Sequence, residues 1–333
     1  MLLILKTPLD EERLARLRRR LAEAGFDSEI IDSGGFSLLL IQGDTAGLDT
    51  DMLLASGVVA DIKRLDAPYK LASRQYHPAD TVVKAGGVSI GGGGLCLIAG
   101  PCTVENEQQL ITIASSVKAG GAGLLRGGAF KPRTSPYSFQ GLGEEGLKLL
   151  VHAKEITGLP VVSEIMDSSQ LPLFSDIDII QVGARNMQNF SLLKALGRQE
   201  KPVLLKRAPG ATYEELLLSA EYLLSWGNAN VILCERGVRS LGRRSSLDIA
   251  AIPLLRALTH LPVLADPSHG AGSSDLVFPL AAAAVAAGAD GLLVEVHNAP
   301  ETALCDGQQA VTPEVFKEAA AKWQAIHDLV SER

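Results

Sequence analysis

The sequence predicts an α/β fold, a (β/α)8 TIM barrel preceded by a small ferredoxin-like (βαββαβ) domain. Three observations lead there. From residue 95 onward, short apolar runs alternate eight times with helix-like stretches. Those runs are apolar without alternation, as parallel strands buried on both faces require. The first 65 residues follow a different order, β-α-β-β-α-β.

The chain has 333 residues, 47% of them hydrophobic and 21% charged, as in an ordinary globular protein. Its net charge of −7 leaves no basic face for nucleic acid. The longest apolar runs are Ala-rich and far shorter than the ~20 residues that cross a bilayer, so no membrane partner is expected. The N-terminal MLLILKTPLDEERL has no basic stretch ahead of its apolar run and does not read as a signal peptide. Four cysteines, Cys96, Cys102, Cys234 and Cys305, are too few and too irregularly spaced for a disulfide scaffold; they read as reduced thiols in a cytoplasmic protein, each either a buried small apolar residue or a ligand.

In chain order, residues 2–6 are an apolar strand. Residues 10–24 have helical periodicity through Leu14, Leu17 and Leu21, and end at Gly25. Residues 28–32 and 36–42 are strands around a hairpin signal, Ser33-Gly34-Gly35. Residues 45–56 suit a short helix, and 58–65 close the unit as a strand. No cysteine and no His–carboxylate cluster lies in this domain, so it carries no chemistry of its own. Residues 66–84 are polar, contain two prolines and read as a linker. A small hairpin follows, ending in four glycines, 91–94. No GK[ST] and no helix follows them, which excludes a P-loop.

The eight barrel strands are expected at 95–99, 123–126, 160–164, 177–182, 202–206, 231–235, 262–266 and 291–295. The helices are expected at 107–118, 144–157, 168–174, 190–196, 213–226, 247–258, 274–287 and 313–330. The domains are therefore 1–65, 66–84 and 85–333, with function expected at the C-terminal strand ends of the barrel.

Polar and charged groups recur at those ends: Cys102 just past strand one, Arg126, Glu164, Arg185, Lys206-Arg207, Glu235-Arg236, Asp266 with Ser268-His269, and Glu295 with Asp306 beyond it. So many charges on one face need a charged ligand or a metal, because unpaired buried charge is costly. They sort into two sets. Cys102, His269, Glu295 and Asp306 mix a thiolate, an imidazole and two carboxylates, which suits a divalent ion such as Mn, Fe, Co or Zn. Arg126, Lys131, Arg133, Arg185, Lys206 and Arg236 are cationic and suit phosphorylated small substrates. Lys131 and Arg133 lie in the long segment GGAFKPRTSPYSFQGLG (127–143), whose Gly, Pro and Ser content suggests an active-site lid.

The segments IAGPCTVEN, LLRGGAFKPRTSPYSFQGLG, VVSEIMD, IIQVGARNMQNF, VLLKRAPG, ILCERGVRS, ADPSHGAG and VEVHNAPETALCDGQQ occur in this order over residues 95–309. Together they resemble the metal-dependent 3-deoxy-D-arabino-heptulosonate 7-phosphate (DAHP) synthases, in the subgroup with an N-terminal ferredoxin-like regulatory domain. The resemblance implies that Cys102, His269, Glu295 and Asp306 ligate the metal. It implies that Arg126, Lys131, Arg185, Lys206 and Arg236, with Glu164 nearby, bind phosphoenolpyruvate. Arg133 and Thr134 would contact erythrose 4-phosphate, and Asp266 would lie near its aldehyde end. Carbon 3 of phosphoenolpyruvate would attack that aldehyde, water would add at carbon 2, and phosphate would leave. Lys131 and a metal-bound water both qualify for proton handling. A homotetramer and an aromatic amino acid effector, Tyr or Phe, are further implications.

The nearest rival is 3-deoxy-D-manno-octulosonate 8-phosphate synthase, which takes arabinose 5-phosphate. Its substrate loop reads Lys-Ala-Asn-Arg-Ser, where this chain has Lys131-Pro132-Arg133-Thr134. A barrel without catalysis, acting as a sensor or scaffold, would need neither the metal set nor the cation set.

Overall fold

The computed structural model describes residues 1–33, 36–41, 45, 47–63, 67–240 and 245–331; the glycines of the expected N-terminal hairpin turn lie outside them. The chain divides into two compact units, Met1–Ala79 and Asp80–Arg333.

The first unit runs β1 (Leu2–Leu5), α1 (Glu11–Glu23), β2 (Ser28–Ser33), β3 (Phe36–Ile41), α2 (Thr50–Ala55) and β4 (Val59–Lys63). The sheet order is β2-β3-β1-β4, and its pairings are antiparallel, which is ferredoxin-like. Asp10 caps α1 by accepting from the Arg13 amide, and Leu14, Leu17 and Leu21 place one apolar stripe on the sheet. On the other sheet face, Tyr76 packs with Leu2, Leu38 and Leu40, and its hydroxyl lies 3.3 Å from Glu29 Oε2. Residues just before Ala79 thus join this unit, because the second face of a half-apolar sheet also needs cover.

The second unit opens with a hairpin, β5 (Val83–Ala85) and β6 (Val88–Ile90). Val83, Ala85 and Ile90 belong to the same buried cluster as Cys96, Ile98, Leu124, Val162 and Ile179 of the strands that follow, so the hairpin packs into the barrel core. The glycine run after it turns the chain: a Cβ on Gly91, at φ +88°, would sit 2.7 Å from the Thr81 carbonyl oxygen.

Eight parallel strands then close in sequence order: β7 (Cys96–Gly100), β8 (Leu124–Arg126), β9 (Val161–Ile165), β10 (Ile179–Val182), β11 (Val203–Lys206), β12 (Val231–Glu235), β13 (Val263–Ala265) and β14 (Gly291–Glu295). The last strand pairs with the first, Glu295 opposite Gly100. Helices α3 (Glu107–Ala119), α4 (Glu144–Thr157), α5 (Phe190–Gly197), α6 (Tyr213–Ser225) and α7 (Ala251–Leu258) lie between successive strands. Two connections differ from expectation. Residues Ser168–Phe174 form a 3-10 helix containing Pro172, which cannot donate to an α-helical ladder. After β13 comes a five-residue helix, α8 (Pro267–Ala271), ahead of α9 (Val277–Ala286). Helix α10 (Pro313–Ser331) ends the described chain. No described helix is long and apolar enough to cross a membrane.

Candidate active site

The C-terminal strand ends open on a cleft of about 830 Å³. Its walls include Arg126, Lys131, Arg133, Thr134, Glu164, Arg185, Lys206, Arg236, His269 and Asp306. Cys102, Glu295 and Asp266 are buried at 3%, 0% and 0% exposure.

Donor atoms of Cys102, His269, Glu295 and Asp306 lie within 4.8 Å of one another. Each arrives by a different local device. Cys102 follows β7, where Gly100 is forced: a Cβ there would sit 2.1 Å from the Arg126 carbonyl oxygen. His269 rides on α8, whose N-cap Asp266 accepts from the His269 amide at 2.9 Å and whose first residue is Pro267. The Asp266 Oδ2 lies 2.7 Å from His269 Nδ1, which leaves Nε2 directed to Glu295 at 3.5 Å. Glu295 ends β14 and is held by Arg126 at 2.7 Å and by the Gln309 amide at 2.7 Å. Asp306 is a non-glycine residue with left-handed backbone, φ 52°. A thiolate, an imidazole and two carboxylates converging at this spacing fit one divalent cation.

Electrostatics support converging charge. Burial pushes the Glu295 carboxyl up, but His269, Arg126 and Lys131 outweigh it and hold it well below the carboxylate range. Asp266 behaves alike: burial is overcome by His269, Lys206 and Arg126. Burial disfavours charge on Lys131, yet Cys102 and Glu164 keep it protonated above its usual range. The Cys102 thiol is pushed well up by its hydrogen bond to Cys305, by burial and by Glu295.

The cations divide by their partners. Arg126 is tied to Glu295, and Lys206 to Asp266. Arg185 donates to the Pro132 carbonyl at 3.0 Å, and Arg133 donates to Cys305 Sγ at 2.6 Å. Gln181 donates to Glu164 at 3.2 Å. The lid keeps its base closed by Gly143 N–H to Ala129 O at 2.8 Å and Lys131 N–H to Gln140 O at 2.9 Å.

Two strand-end charges lie outside the cleft. Arg207 pairs with Glu235 at 2.8 Å and with Asp248 at 3.1 Å, so these neighbours neutralise one another rather than await a ligand. Conversely, Arg239, Gln181 and Gln309 line the cleft without having been singled out by sequence. Arg239 stands in the quoted ILCERGVRS segment, but its uncharged neighbours gave no strand-end signal. Cys96 and Cys234 belong to the barrel core; burial pushes the Cys96 thiol up to about 12.

Residues 73–332 match the DAHP synthetase I family. A phospho-2-dehydro-3-deoxyheptonate aldolase of Thermotoga maritima is 45% identical over 331 residues, covering 98% of each chain. A 2-dehydro-3-deoxyphosphooctonate aldolase of Citrifermentans bemidjiense is 34% identical over 273 residues, covering 75% of this chain and 98% of its own. The crystal structure of a Thermotoga maritima phospho-2-dehydro-3-deoxyheptonate aldolase (DAHP synthase) has a TM-score of 0.78 at 44% identity, covering 99% of this chain and 98% of its own. A truncated form of 3-deoxy-D-arabino-heptulosonate 7-phosphate synthase from the same organism has a TM-score of 0.74 at 46% identity, covering 79% of this chain and 98% of its own. With the barrel, the ordered segments and these relatives in agreement, the chain belongs to the DAHP synthetase I family.

Proposed function

We propose that the barrel condenses phosphoenolpyruvate with erythrose 4-phosphate, releasing phosphate and 3-deoxy-D-arabino-heptulosonate 7-phosphate. The observation that carries this reading is one cleft lined by seven cationic side chains and by His269 and Asp306 of the Cys102, His269, Glu295 and Asp306 cluster. A divalent ion held by those four residues would supply a Lewis acid for the aldehyde oxygen.

The remaining work belongs to the protein. Arg126 and Lys206 are already paired and buried, so they meet an anion without reorganising. With Lys131, Arg185 and Arg236 they bind the phosphate and carboxylate of phosphoenolpyruvate and hold carbon 3 toward the aldehyde. They also stabilise charge as it builds on the departing phosphate. Lys131, kept protonated by Cys102 and Glu164, adds a fixed positive charge at that end. Arg133 and Thr134 bind the phosphate of erythrose 4-phosphate, and Asp266 fixes the imidazole of His269 by its amide and ring contacts. The Lys-Pro-Arg-Thr loop favours erythrose 4-phosphate over arabinose 5-phosphate.

The first unit, which carries no such cluster among its described residues, is read as an effector domain for Tyr or Phe on a homotetrameric enzyme. The test is phosphate release from phosphoenolpyruvate with each aldose phosphate. Turnover with erythrose 4-phosphate and little with arabinose 5-phosphate supports the reading; the opposite preference overturns it.

A further inference from the structure

Cys305 has no part in the reading above, yet its sulfur touches two of the four residues of the cluster. It is 3% exposed. Its Sγ is 3.2 Å from Cys102 Sγ and 3.4 Å from Asp306 Oδ2, while Cys102 Sγ and Asp306 Oδ2 are themselves 3.3 Å apart. Three donors therefore form a nearly equilateral triangle. Metal–sulfur distances near 2.3 Å and metal–oxygen distances of about 2.0–2.2 Å put neighbouring donors roughly 3.0–3.7 Å apart, so this triangle has the size of one face of a coordination shell.

The backbone explains how two consecutive side chains reach one point. In extended chain they would point to opposite sides. Here Asp306 takes φ 52°, and Gly307 has no room for a side chain, because a Cβ would sit 2.0 Å from the Pro300 carbonyl oxygen. The Leu304 amide donates to Glu105 Oε1 at 2.9 Å, which anchors the turn from the other side. Arg133 Nη1 donates to Cys305 Sγ at 2.6 Å, the type of charged donor that commonly sits behind a metal-bound thiolate.

We propose that Cys305 is a further metal donor in this chain, a second thiolate that biases the site toward thiophilic ions and away from Mn. The inference rests on the metal-dependent reading above and deepens it. Because Arg133 hydrogen-bonds the same sulfur, metal occupancy and the position of the lid arginine are linked through Cys305.

The test uses the full-length protein titrated with Co(II) and Cd(II), read by near-ultraviolet sulfur-to-metal charge transfer per bound ion. The wild type should show the intensity of two metal–sulfur bonds. Cys305→Ser, Cys305→Ala and Cys102→Ser should each show about half, and the double variant none. In competition, Cys305→Ser should lose at least about tenfold in Cd(II) affinity while its Mn(II) affinity moves less. Wild-type intensity matching one thiolate, calibrated on mono- and dithiolate Cd(II) complexes, overturns the proposal without needing any variant to fold. So does full intensity in Cys305→Ala. A wild type that binds neither ion sinks the metal reading itself, a distinct outcome.

Discussion

Arg126 and Glu295 meet across the top of the barrel at 2.7 Å, with strand β7 between theirs and both side chains closed off from water. Alone at that depth, either charge would be expensive to keep. Arg126→Met should therefore cost about 3–5 kcal/mol in the metal-free protein, because it strands a buried carboxylate. Glu295 and Asp266 are both held below the ordinary carboxylate range, so the stability they contribute is fully present above about pH 4.3 and is lost as pH falls below it toward their folded values. Urea unfolding should show a wild-type plateau from pH 7 to 5 and a decline below about pH 4, with the Arg126→Met deficit shrinking in acid. Equal stability of the two proteins at pH 7 would sink the argument.

Removal of metal should abolish turnover. Treatment with a chelator followed by exchange into metal-free buffer should leave an inactive, folded protein that Mn(II) or a similar ion restores. Cys102→Ser should weaken metal retention, since a hydroxyl is a poor ligand for borderline-soft ions. Metal analysis alongside the assay checks both; full turnover by protein shown to be metal-free contradicts the site.

The two substrate phosphates should separate by variant. Arg133→Ala should raise KM for erythrose 4-phosphate far more than for phosphoenolpyruvate, and Arg185→Ala should do the reverse. Some cross-talk is built in, since Arg185 donates to the carbonyl of Pro132, next to Arg133. Steady-state kinetics with each substrate varied in turn decides, and equal damage to both KM values in both variants refutes the division.

Gly183→Ala should be as harmful as a change of a charged residue. Its Cβ would lie 1.8 Å from Glu164 Oε1, so the glutamate must leave its place beside Gln181 in the cleft wall. The expected result is a KM for phosphoenolpyruvate raised about tenfold or more with the fold retained, since a small misplacement at the reacting centre can cost up to about 10²-fold. A variant with wild-type kinetics would show that Glu164 does not need that position.

A chain beginning at Asp80 should keep the activity of the barrel and lose inhibition by Tyr or Phe. The boundary falls where the two compact units divide. Coupling between an effector and an active site is typically worth about 1–3 kcal/mol, or roughly 5–150-fold in affinity. Inhibition assays on both lengths decide; a full-length enzyme indifferent to every aromatic amino acid removes the regulatory reading and leaves the catalytic one.

The sequence alone determined the element order, the closed barrel and many of the charged residues at its mouth, though not Arg239, Gln181 or Gln309. That is because apolar runs, helical periodicity and strand ends are local properties, and chain order decides which strands adjoin. Asp266 before Pro267 is a local signature of a helix start, yet the five residues of α8 fell in the gap between the expected strand 262–266 and the expected helix 274–287. What only the tertiary structure decided is which charges pair. Lys206 and Arg207 are consecutive, yet one joins Asp266 at the cleft and the other joins Glu235 away from it. Cys305 could be read from sequence only as a small buried thiol or a ligand without named partners; its place against Cys102 depends on a left-handed turn at Asp306 and on two chain segments separated by 203 residues. Contacts of that separation arise only when the barrel closes, and no local period encodes them.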